Sequence, residues 1–108
     1  MSKYVVMGKY TPKAFQGFIQ NPKQDRSTAV KALSEATGGK LESFAITRGK
    51  YDFYAVVTGD MPFENVAAVK LAVEASGAVT DMAILEEMDM NIAAEVAGKA
   101  AGGYKTPG

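Results

Sequence analysis

Apolar positions change their period several times along this chain, and each change marks a new element. Residues 3 to 10, KYVVMGKY, are rich in β-branched and aromatic types and predict a first strand, with Tyr4 and Tyr10 at one parity and therefore on one face. Thr11-Pro12 supplies an N-cap followed by proline at the first helical position, and Phe15, Phe18 and Ile19 then recur at helical spacing. Asn21-Pro22 repeats that signal and predicts the start of a longer helix. Its stripe is Ala29, Val30, Leu33 and Ala36, and Gly38-Gly39 ends it.

The stretch from Leu41 to Gly59, LESFAITRGKYDFYAVVTG, reads as two strands about Gly49-Lys50. Glycine first in a two-residue loop suits a type II′ turn, because glycine takes positive φ without steric cost. In that register Arg48 faces Tyr51, Ile46 faces Phe53 and Phe44 faces Ala55, an apolar face with a polar rim that is expected to pack on helices. The other face pairs Thr47 with Asp52, Ala45 with Tyr54, Ser43 with Val56 and Leu41 with Thr58. That surface is too apolar to be left in water, so a second copy of the chain is expected to cover it.

Asp60-Met61-Pro62 opens another helix, with Phe63, Val66, Val69 and Val73 on one face and Gly77 as terminator, and Ala78 to Glu86 forms a last strand. The order β-α-β-β-α-β, with the first α broken at Asn21-Pro22, predicts an α+β fold of ferredoxin-like type. Such a fold is a four-stranded antiparallel sheet with both helices on one side. Ile92, Ala93, Val96, Ala97 and Ala100 continue at i, i+3, i+4 spacing. An amphipathic C-terminal helix over residues 89–101 is therefore expected after a domain of residues 1–88. Residues 102–108 hold glycine and proline but no apolar period, which predicts a disordered tail.

Composition narrows the chemistry. A hydrophobic share of 47% over 108 residues suffices for one domain, though oligomerisation would help so small a core. Twelve basic and twelve acidic residues cancel without forming a block of like charge, which argues against a nucleic-acid partner. Cysteine and histidine are both absent. That removes disulfides, thiolate nucleophiles, imidazole bases and the usual zinc and haem ligands, so no cofactor and no metal are expected. What remains is Asp, Glu, Lys, Tyr and Arg chemistry, or oxygen ligands for a hard cation. The N-terminus lacks the apolar core of a signal peptide, and no run of about 20 apolar residues would span a membrane. A cytoplasmic protein without membrane contact is expected.

Tyr51 and Asp52 offer a phenol and a carboxylate, but neighbours in a strand point to opposite faces and do not share a pocket. Asp52 alone, the one candidate catalytic base, has two readings. It is either a structural acceptor for Thr47, backbone or a partner's cation, or the polar anchor of a ligand site with Tyr54 beside it on the same face. Arg48 with Tyr51 could grip a carboxylate or phosphate, or form an exposed cross-strand pair. Tyr10 could line a cavity or simply pack. Met82, Met88 and Met90, beside the alanine-rich helix, read as an oligomer contact.

Three motifs in order, YVVMGKYTPKAFQGF, ATGGKLESFAITRGKYDFYAVV and SGAV, resemble the GYD domain, a family of small bacterial and archaeal proteins. Gly49, Tyr51 and Asp52 match its name motif, with Lys50 between, and the resemblance runs from about Tyr4 to Met88. It implies a dimeric α+β barrel in which two ferredoxin-like sheets pack face to face, and it implies no particular activity. Three functions stay open: a homodimeric small-molecule binding or sensing module, an enzyme of monooxygenase or isomerase type using Tyr, Asp and Arg, and an oligomeric scaffold assembled through the C-terminal helix.

Overall fold

The computed structural model describes residues 1–108. It carries β1 (Ser2–Tyr10), α1 (Pro12–Gln20), α2 (Arg26–Ala36), β2 (Lys40–Ile46), β3 (Phe53–Gly59), α3 (Phe63–Ala75), β4 (Val79–Glu86) and α4 (Met90–Ala101). β1 sits centrally because it pairs antiparallel with both β3 and β4, while β2 pairs with β3. The strand order β2-β3-β1-β4 is the ferredoxin-like one. α2 and α3 cover one face, where Val30, Val69 and Val73 pack on a core of Val6, Phe53, Ala55, Val79 and Met82. No helix is long and apolar enough to cross a membrane.

Two local devices let that core close. The β1–β4 register shifts between Met7 and Lys9, with Asp81 at φ 52°. Val79 and Met82, which strict alternation would send to opposite faces, are therefore both buried beneath the helices. The Phe53 ring lies across β1 at Gly8, where an added Cβ would fall 2.8 Å from the ring. Only glycine admits that crossing.

The connections depart from the sequence pattern in three places. Asn21 does not start α2; it closes α1, its N–H donating to the Gly17 carbonyl at 2.9 Å. The N-cap of α2 is Asp25, whose carboxylate accepts from the Ser27 N–H at 2.9 Å. Those bonds from Ser27 hold the Asp25 carboxyl below its ordinary range. The hairpin lacks the two-residue turn as well. Its ladder stops at Ile46 and Phe53, and residues 47 to 52 form a wider loop in which the Thr47 hydroxyl donates to the Tyr51 carbonyl at 2.6 Å. Asp52 is bonded on both sides: its carbonyl accepts from the Thr47 N–H at 2.7 Å, and its own N–H donates to the Gly8 carbonyl of β1 at 2.8 Å. Finally, a register shift between Leu41 and Ser43 sets Leu41 opposite Val57 instead of Thr58 and brings it into the helix-covered layer.

The opposite face of the sheet has no cover within the chain. Tyr54 and Val56 of β3 lie there beside Val5 and Met7 of β1, and Leu85 of β4 is 56% exposed.

Candidate functional site

The site is built where β1 ends. Tyr10 shares its parity with Tyr4, Val6 and Gly8, so its ring enters the layer beneath the helices. There it meets Phe18 at 5.0 Å, Phe53 at 5.2 Å and Phe15 at 6.3 Å between ring centroids, and Phe44 adds a further ring 6.1 Å from Phe53. The contacts with Phe15 and Phe18 are edge-on, a favourable arrangement for the ring quadrupoles.

Asp52 fixes this end of the sheet. β3 begins only at Phe53, so the Tyr10 N–H has no carbonyl to meet; the Asp52 carboxylate takes it at 2.8 Å through Oδ2. A side chain thus replaces the next rung of the ladder. Arg26, the first residue of α2, sets its guanidinium beside the Tyr10 phenol.

Behind these groups lies a cavity of about 110 Å³ between the helices and the sheet. Its walls include Val6, Leu33, Phe44 and Val73, with Tyr10 and Arg26 as polar members. Ser34 also reaches it, but its hydroxyl is already spent on the Val30 carbonyl at 2.9 Å. Burial pushes the Tyr10 phenol above its ordinary pKa; Arg26 pulls against this, and the Asp52 charge adds to it. At neutral pH the phenol is therefore an intact O–H donor. Together with the Arg26 guanidinium it offers donors to an oxygen acceptor whose apolar remainder fits inside.

Of the residues marked by the sequence, the structure gathers Tyr10 and Asp52. Arg48 is exposed in the 47–52 loop. Tyr51 lies in the same loop with the Lys50 ammonium 5.6 Å above its ring, so the expected Arg48–Tyr51 cross-strand pair does not form. Tyr54 points to the uncovered face, away from Asp52's acceptor bond. Arg26 is not among the residues the sequence marks, because Asn21-Pro22 has the local form of the helix start and hides that α2 begins at Arg26. The signal was nevertheless present: carrying the stripe of Ala29, Val30 and Leu33 back by one turn lands on Arg26, an arginine on an apolar face.

Known proteins add a family and a fold. The family model of the GYD domain matches residues 4–97, a range that runs on into α4. No protein of curated function matches. Among solved structures, the crystal structure of FFRP-DM1 superposes with a TM-score of 0.52 at 10% identity, covering 82% of this chain and 100% of that one. The hypothetical protein PHS023 from Pyrococcus horikoshii superposes with a TM-score of 0.51 at 9% identity, covering 82% and 92%. At such identities the likeness is one of fold.

Proposed function

The chain belongs to the GYD domain family, and for this member we propose a small-molecule binding role. The ligand sits between the helices and the sheet, with its apolar body in the cavity and an anionic or carbonyl oxygen against Arg26 and Tyr10. The observation that carries this reading is the pairing of a mostly apolar cavity of about 110 Å³ with a guanidinium and a protonated phenol in its lining. A space of that order takes about one aromatic ring, so benzoate is a suitable probe.

Titrating benzoate against the protein by calorimetry is expected to give saturable binding that Arg26→Ala weakens by roughly tenfold or more, the loss of a charge-assisted pair. Tyr10→Phe is expected to weaken it less. Binding that ignores both substitutions, or no binding of benzoate and no retained small molecule in the mass of freshly purified protein, would sink the proposal.

The uncovered sheet face supports a second copy as part of the same reading. Val5, Met7, Val56 and the exposed Leu85 make an apolar surface suited to another sheet laid face to face. Val56→Lys is expected to shift the native mass toward one chain.

A further inference from the structure

α4 and the flank of α3 are both left without partners, and they match each other. α4 is a formed helix of 12 residues, capped by Asp89, whose carboxylate accepts from Asn91 and Ile92 at 2.8 and 3.2 Å. Yet every one of its side chains but Ala93 is exposed, with Ile92 at 61% and Val96 at 60%. An isolated helix of about this length is marginal in water. It also projects from the body: the radius of gyration is 17.7 Å, against about 13 Å for a compact domain of similar size.

On the other side, a groove of about 890 Å³ opens between α3 and the β1–β4 edge, floored by Tyr4 and Ile84. Phe63 and Leu71 stand in it 81% and 72% exposed. α3 has 13 residues, so the two helices are roughly 20 and 18 Å long at 1.5 Å per residue.

We propose that α4 of one chain lies in the α3 groove of a second copy, by reciprocal exchange. The pairing has a register. Run parallel with a constant offset, Ile92 meets Ala67, Val96 meets Leu71 and Ala100 meets Ala75, so a large residue faces a small one at the first rung and small faces small at the last. The same offset sets Glu95 against Lys70 and Lys99 against Glu74. On α3, Lys70 and Glu74 approach to only 3.8 Å, and Glu74 Oε2 is shut from solvent with no hydrogen-bond partner. The rest of the carboxylate is partly exposed, and a lysine from α4 would bring it a nearer cation than Lys70. Two helices in two grooves bury on the order of 1,500 Å², the size of a stable interface. The partner is a second copy because α4, exposed at every side chain but Ala93, leaves the groove of its own chain unfilled, with Phe63 and Leu71 still exposed.

The absence of native cysteine makes the test direct. Leu71→Cys and Val96→Cys, prepared as separate proteins, are mixed under native conditions and oxidised; Ala67→Cys with Ile92→Cys is a second pair in the same register. The expected product is a disulfide-linked species holding one chain of each kind, in higher yield than either protein gives alone. If the bond forms only within one chain of the Leu71→Cys/Val96→Cys double variant, α4 folds back on its own groove and the exchange is overturned. No bond in either pair overturns it equally. The readout is independent of ligand binding at Tyr10 and Arg26.

Discussion

α2 and α3 lie side by side on the same face of one sheet, and they are held there very differently. α2 is capped at both ends: Asp25 closes its start, and Gly38, at φ 93°, lets the Gly38 and Gly39 N–H groups return to the carbonyls of Glu35 and Ser34. Its inner stripe meets aromatic rings. α3 starts at Pro62 with no side-chain cap bond, anchored by Asn65 donating to the Thr37 carbonyl at 3.0 Å, and leaves Phe63 and Leu71 in the open. Where the helical layer closes, polar groups could be gathered around an enclosed space. Where it stays open, large apolar side chains stand in solvent. The difference separates an enclosed cavity with polar groups at its edge from an open apolar groove.

Breaking the closed side should give the largest effect. Phe53 touches Tyr10, Phe44 and the backbone at Gly8 and is 6% exposed. Phe53→Ala is expected to cost about 3–5 kcal/mol in urea unfolding, and a loss under about 1 kcal/mol would show the layer to be loose there too. Next comes Asp52→Ala, which strips the acceptor from the Tyr10 N–H and should cost about 1.5–3 kcal/mol. Asp52→Asn, which keeps a carbonyl oxygen, should lose clearly less; equal losses would mean that charge rather than the hydrogen bond matters.

A smaller effect comes from pH. The folded-state pKa of Tyr10 is raised above the ordinary tyrosine value of 10.0, so above that pH the unfolded chain gives up the proton first. Stability from this group is complete below about pH 10 and declines as pH rises toward the folded value. Tyr10→Phe should flatten that alkaline decline, as read from melting temperatures across the range. The open side should respond least. Leu71→Ser in dilute protein is expected to change unfolding stability by less than about 0.5 kcal/mol, and a greater loss would show the groove filled even at low concentration.

Much of the fold was legible because it rests on local periodicities. The α+β order, the α1 cap at Thr11-Pro12 and the pairings of Ile46, Phe44 and Ala45 across the hairpin all follow from alternation, breakers and cap chemistry. The errors share one physical origin. Asn21-Pro22 has the local form of a helix start, but the last turn of α1 claims Asn21 as its close. Gly49-Lys50 has the local form of a tight turn, but the Thr47 hydroxyl takes the Tyr51 carbonyl and the Asp52 N–H is held by β1, which fixes a wider loop. Bulges at Glu42 and Asp81 leave no mark in composition, because they serve the fit of Leu41, Val79 and Met82 beneath the helices. Part of the candidate site was readable on the same terms: Tyr10 and Asp52 were marked by their types and positions, while Arg26 joined them only once α2 had its true start.

By itself, then, the order of residues determined which segments are strands and helices, that histidine and cysteine chemistry is closed to this protein, and that more apolar surface exists than its own core absorbs. Those properties are local or additive, and each can be counted along the chain. Tertiary structure decided that Asp52 serves Tyr10's backbone, that Arg26 stands beside a half-buried phenol, and that α4 lies outside the α3 groove. Each of these is a competition between distant groups for one donor, one face or one space, and only the packed sheet and helices settle which group wins.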